Sequence, residues 1–208
     1  MQKFISVSGN AAPLIKSNID TDVIIPAKRL VGYQRDELGA FAFEAWRFLE
    51  SGVDNPDFVL NRARYRGAPI LVTGANFGCG SSRESAVWAL AGIGIRCIIA
   101  PSFGDIFYNN TFQNGVLAIT LPQTEIDAIG AELEAATEPV TTVDLTQQTI
   151  VLPSGRIMPF VIDAERREAL LEGRDEIGMT LTRGDEIAAF QIQDRAARPW
   201  IYATLPHA

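Results

Sequence analysis

Ser81, Ser82, Arg83 and Glu84 follow glycines at 74, 78 and 80 and come soon after the apolar run Pro69–Val72. Glycine is costly to order and marks places where the main chain turns sharply or comes close to something. Ser81 and Glu84 fit the S-x-x-E capping box, in which the serine caps an amide and the glutamate reaches back. That reading leaves the three glycines and Arg83 unexplained. A cation in the first turn of a helix opposes the positive end of the dipole, so Arg83 implies a negative charge opposite it. Taken together, the residues describe an anion site. Amides converge at a helix start, glycines let a ligand approach the backbone, and Arg83 grips a carboxylate with two parallel N–H donors. In such a field a serine alkoxide would be stabilised, and that serine could act as a base without help from histidine.

That help is absent from the body of the chain. The single histidine is His207, read as a solvated tail residue, so a Ser-His-Asp triad, a Cys-His dyad and a histidine-built zinc site are excluded. The two cysteines, Cys79 and Cys97, form neither a disulfide framework nor a C-x-x-C motif. Cys79 has no basic neighbour to activate it and reads as a small residue tolerated beside the serines. The loop is half of a G-x-G-x-x-G fingerprint, but Arg83 stands at the third glycine; a P-loop would need a lysine that is missing. Asn18, Asp20 and Asp22 alternate in NIDTD. A hard cation would accept such oxygens, but a turn closed by Asn and Asp side chains explains them better. Lys28, Arg29 and Arg35 follow Pro26 in a loop, either facing an anionic ligand or as solvated surface charge.

The elements that must position these residues are legible as alternating apolar runs and stop signals. ISVSG reads as a short strand, and Asp36–Ser51 as a helix ended by Gly52. PILVTG, IRCIIA and VLAITL read as buried strands. A helix from the serines to about Ile93 and a second one, capped by Ser102 and stopped by Gly115, lie between them. Strand, helix, strand, helix, strand makes a parallel α/β unit with right-handed crossovers. A helix over TEIDAIGAELEAA and three short strands follow, PSG turning the last two into a hairpin. From Asp163 the chain becomes charged and helical, with breaks at Gly173 and Gly184. Residues 1–162 therefore read as an α/β domain and 163–208 as a helical extension packed on that core or on a partner.

With 208 residues, 47% of them hydrophobic, the chain can bury one sizeable core. A net charge of -7 without basic clusters argues against nucleic-acid binding. No apolar run reaches the ~20 residues of a membrane span, and MQKFISVSGN lacks a signal-peptide core. A cytoplasmic protein is expected.

NIDTDVIIPAKRL, GANFGCGSSRESAVWAL and GIRCIIAPSFGDIFYNNTFQNGVLAI, in this order and spacing, closely resemble the small subunits of bacterial 3-isopropylmalate dehydratase, swivel-domain proteins of the aconitase superfamily. The helical tail resembles that family too. The resemblance implies a swivelling β/β/α fold. It also implies isomerisation of 2- and 3-isopropylmalate through an alkene, in leucine biosynthesis. It implies a large-subunit partner whose cysteines hold a four-iron, four-sulfur cluster, with no cofactor bound by this chain. By motif position Ser81 would be the alkoxide base, and Ser82 and Arg83 would bind a substrate carboxylate. The loop from Lys28 to Arg35 would sit where the substrate's side group is read. One departure is Ala45, in AFEAWRF, where bacterial relatives carry an acidic residue. It leaves homoaconitate, citraconate or another branched malate as substrates, beside a carboxylate-binding module without turnover.

Overall fold

The computed structural model describes residues 1–202, so His207 lies outside the described residues. The chain runs β1 (Ser6–Leu14), α1 (Thr21–Ile24), α2 (Glu44–Arg47), β2 (Ile70–Thr73), α3 (Ser85–Gly92), β3 (Cys97–Ala100), α4 (Asp105–Gln113) and β4 (Leu117–Thr120). It continues with α5 (Gln123–Ala135), β5 (Val140–Asp144), β6 (Thr149–Val151), β7 (Ile157–Pro159), α6 (Ala164–Glu172), α7 (Glu176–Leu181) and α8 (Gly184–Ala197). The seven strands form one sheet in the order β4-β3-β2-β1-β5-β6-β7.

The expected parallel unit is present: β1, β2, β3 and β4 pair in parallel. The strand expected at ISVSG is longer and does two jobs. Ser6–Asn10 pair antiparallel with β5, while Ala11–Leu14 pair in parallel with β2. β1 therefore joins the parallel half to the meander β5-β6-β7, whose last two strands form the hairpin read at PSG.

Alternation of side chains along a strand divides the core in two. Leu71, Ile98 and Ala100 point to the face covered by α3, where they join Val87 and Leu90. Ile70, Val72, Cys97 and Ile99 point to the other face, with Ile126, Ile129 and Leu133 of α5 and Val143 of β5. Burial on both faces explains why these strands read as continuous apolar runs.

Three local expectations fail, each because a tertiary contact wins. The helix expected over 36–51 is a 3₁₀ turn at Arg35–Phe41 followed by the short α2. Phe43, fully buried, takes φ 54° between them and donates its amide to Ile24 O at 2.8 Å. Ser102 does not cap α4; Gly104 holds that position, and the Ser102 hydroxyl accepts from the Asn76 amide at 2.9 Å. The helix expected to start at the serines begins only at Ser85, and Glu84 occupies the cap position without a side-chain bond to it.

The C-terminal extension divides. α6 docks on the core through Leu170, which is fully buried, and ends at Gly173 with φ 69°. No residue of α7 or α8 is buried. No described helix is long and apolar enough to cross a membrane.

Candidate active-site loop

Loops that leave the carboxyl ends of adjacent parallel strands meet at one edge of a sheet, the usual ligand edge of α/β folds. Here the loop after β2, carrying Ser81–Arg83, lies between the loops after β1 and β3. On one side, Gly74 N donates to Lys16 O (3.2 Å), Asn18 N to Ala75 O (2.8 Å), Gly78 N to Ile19 O (2.7 Å) and Thr21 N to Cys79 O (2.9 Å). On the other, Phe77 N donates to Ser102 O (3.1 Å) and Gly104 N to Phe77 O (2.9 Å). The Ser81 amide donates to Thr21 Oγ1 at 3.1 Å. This bond holds Ser81 outside the helix, so the capping box does not form.

The glycines serve this stacking of loops rather than a ligand. A Cβ on Gly74 would lie 2.5 Å from the Lys16 main chain. Gly78 has φ +72°, and a Cβ there would sit 2.2 Å from the Phe107 ring. Gly78→Ala is therefore expected to destabilise the fold by more than about 2 kcal/mol, from left-handed backbone strain plus overpacking. Chemical denaturation checks this, and a loss below about 0.5 kcal/mol, the level of an ordinary surface substitution, would contradict it.

Ser81 and Ser82 are exposed, and their hydroxyls make no hydrogen bond to any described residue. The amides of Ser82, Glu84 and Ser85 likewise find no acceptor among the described residues. The start of α3 is thus an open turn of unpaired N–H groups beside two free hydroxyls. Arg83 is mostly buried, with 18% of its side chain exposed. The negative charge opposite it is internal: Nη1 lies 2.5 Å from Asp22 Oδ1, an ion contact without hydrogen-bond alignment. Arg83 in turn holds the Asp22 carboxyl below the ordinary carboxylate range. The inference from Arg83 to an external anion alone therefore fails. Asp22 meets one nitrogen of the guanidinium, and the other two make no hydrogen bond to a described residue.

Asp22 and Thr21 are the residues that sequence reasoning missed. The alternating NIDTD was their signal, and its reading as a turn holds in part. Asp20 caps α1 by accepting from Val23 N at 2.8 Å, and Asn18 takes φ 57°. Asp22 closes the same loop by accepting from Ala27 N at 3.2 Å, and also reaches across to Arg83 in the next loop.

The basic loop does not converge freely on the serines. Lys28 lies 3.3 Å from Glu44, which also receives Arg29 at 3.0 Å and 2.6 Å. Arg29, seconded by Lys28, keeps the Glu44 carboxyl below its usual range against the opposing effect of burial. Arg35 lies over the Trp88 ring, 5.1 Å from its centroid, and donates to Asn114 Oδ1 at 2.6 Å.

The thiols give no donor set for a cluster. Burial, with Asp20 behind it, pushes the half-buried Cys79 thiol up, and burial alone pushes up the fully buried Cys97. A cluster ligand must be a thiolate. The residues of this chain do not fit the group.

Comparison with known proteins agrees with this architecture. Residues 1–124 match the family model described as the aconitase C-terminal domain. Residues 176–204 match the model of the C-terminal domain of the 3-isopropylmalate dehydratase small subunit. The chain is 53% identical over 201 residues to a 3-isopropylmalate dehydratase small subunit of Rhodospirillum rubrum, covering 97% of each chain. It is 51% identical to the protein of the same name from Dinoroseobacter shibae, covering 97% of this chain and all of the other. A crystal structure of 3-isopropylmalate dehydratase from Methanocaldococcus jannaschii superposes with a TM-score of 0.64 at 26% identity, covering 90% of this chain and 99% of that one. The chain belongs to the family of 3-isopropylmalate dehydratase small subunits, within the aconitase superfamily.

Proposed function

We propose that this chain supplies the base and a carboxylate grip for the interconversion of 2-isopropylmalate and 3-isopropylmalate, in leucine biosynthesis in the cytoplasm, and that it turns over only with a large subunit. The observation that carries this reading is the pair of unbonded, exposed serine hydroxyls at the open N-terminal turn of α3, beside a guanidinium held by Asp22. Ser81 Oγ, as the alkoxide, takes the proton on the carbon beside a substrate carboxylate. Charge then builds on that carboxylate. Ser82 and Arg83 bind it, and N–H groups of the turn that have no acceptor among the described residues add donors preplaced in the fold. The same hydroxyl returns the proton when water adds back. The cluster that would polarise the leaving hydroxyl belongs to the large subunit. The loop from Lys28 to Arg35 is assigned to the substrate's side group.

Two features support a partner. The serines stand on open surface rather than in the interior, so a second wall must come from elsewhere. α7 and α8 also expose Ile177 (71%), Leu181 (70%), Phe190 (61%) and Ile192 (73%), apolar surface that a lone chain leaves in water. Phe190→Asp is expected to weaken association with the large subunit by about tenfold or more, as loss of an interface aromatic does. The fold should be unaffected, because the side chain is exposed. Titration of one subunit against the other by calorimetry measures this, and unchanged affinity would remove α8 from the interface.

The reading is tested by mixing the purified chain with a cluster-loaded large subunit and following alkene formation from a panel of branched malates. Turnover is expected only with both chains present, and fastest with isopropylmalate. Preference for homoaconitate or citraconate would reassign the substrate, as the Ala45 departure allows. Substrate binding to this chain alone, with no activity from any partner, would make it a carboxylate-binding module.

A further inference from the structure

Asn114, which follows the last residue of α4, is buried, and every hydrogen-bonding position of its side chain is used. Its Oδ1 accepts from Arg35 Nη2 at 2.6 Å and from Trp88 Nε1 at 2.9 Å. Its Nδ2 donates to Glu84 Oε1 at 2.9 Å and to Asn110 O at 2.9 Å. A side-chain amide has two acceptor sites and two N–H groups, so four partners saturate it.

Those partners lie on different segments. Arg35 opens the 3₁₀ turn between α1 and α2, and its guanidinium also stacks on Trp88. Glu84 is the cap residue of α3 and the chain neighbour of Arg83. Trp88 lies one turn further into α3, and Asn110 lies on α4. The same 3₁₀ turn meets α3 again at its far end, where Gly39 and Gly92 touch backbone to backbone. One amide thus ties the basic loop to the start of the helix that carries the serine loop.

We propose that Asn114 is a positioning residue that locks the 27–41 loop against the first turn of α3, so that Arg35 and the Ser81–Arg83 loop are presented as one rigid surface. Asn114 acts through Arg35 and Glu84 and does not itself touch substrate. Its effect on turnover rests on the function proposed above; the lock itself is a property of this chain alone. No isosteric replacement keeps it. Asp removes both N–H donors and sets a carboxylate against Glu84, whereas Leu leaves Trp88 Nε1 and Asn110 O unpaired. Arg35→Ala cuts the tie from the other end, at an exposed residue whose loss does not threaten folding.

Hydrogen exchange of the full-length chain reads the lock without any assay of activity. Amides of residues 37–42, where Glu37 N bonds Gln34 O and Ala42 N bonds Gly39 O, are expected to exchange about tenfold faster in Arg35→Ala and in Asn114→Leu, while those of β2 and β3 stay unchanged. In the complex with the large subunit, each variant should raise KM about tenfold with kcat within about threefold, the mark of lost ground-state and transition-state binding alike. The double variant should be no worse than Asn114→Leu alone, because the bond that Arg35→Ala cuts is one of those that Asn114→Leu already cuts. Should Asn114→Leu not fold, Asn114→Asp and Arg35→Ala decide. Unchanged loop exchange in the folded variants, or strictly additive effects on KM, would overturn the proposal. If the wild-type complex turns over no branched malate, the proposed function fails and the exchange result still decides the lock.

Discussion

Ser81→Ala is expected to lower kcat by about a thousandfold, within the range that a positioned general base contributes, while leaving the fold and assembly intact. The structure makes this substitution an unusually clean probe. The Ser81 side chain is exposed and its hydroxyl bonds to no described residue. Its removal therefore orphans no buried group, and the stability change should stay within about 0.5 kcal/mol, as at ordinary surface sites. The Ser81 main chain keeps its contact with Thr21. Loss of turnover at unchanged stability and unchanged substrate affinity would then belong to the oxygen alone. A variant that retains near-normal kcat would reject Ser81 as the base, whatever the fold.

Arg83→Lys is expected to lower kcat/KM by about fiftyfold, since lysine offers a point charge where arginine offers a planar fork. Asp22 already occupies one nitrogen of Arg83. An ammonium group drawn to Asp22 has no second, rigidly placed N–H to offer a carboxylate. The thermal midpoint should barely move. Asp22 is 55% exposed, and ion pairs with a solvated partner add little to stability. Steady-state kinetics on the reconstituted complex, beside a melting curve of the free chain, separates the two effects. A large drop in stability with unchanged kcat/KM would make Arg83 a structural residue paired with Asp22.

The parallel core was legible in the sequence because its signals are local. Ile70–Val72 and Cys97–Ala100 are continuous apolar runs followed within two residues by Gly74 and Pro101, and such strands have few alternatives. Gly115 and Gly173 take the positive φ expected of helix stops. What could not be read depends on residues distant in the chain. Ser81 looks like a cap until Thr21 claims its amide. Ser102 looks like a cap until Asn76 claims its hydroxyl. Phe43 interrupts a periodic helix because Ile24 claims its amide. The glycines around Ser81–Arg83, read from the sequence as room for a ligand, are packed against neighbouring loops. They let three loops stack, and what stays open at this loop is the turn of N–H groups without acceptors among the described residues. Asp22, hidden in an ordinary turn pattern, became visible only when the sheet brought the loops after β1 and β2 together.

Solvent exchange of the substrate proton tests the role of Ser81 most directly. Isopropylmalate is incubated in deuterium oxide with the complex carrying either the wild-type small chain or its Ser81→Ala variant. Deuterium entry at the carbon beside the carboxylate is then followed by NMR. Deuterium is expected at that carbon with the wild type and essentially none with Ser81→Ala, although both bind substrate equally well. Deuterium entering at the wild-type rate with Ser81→Ala would show that another group takes the proton, and the hydroxyl at position 81 would not be the base.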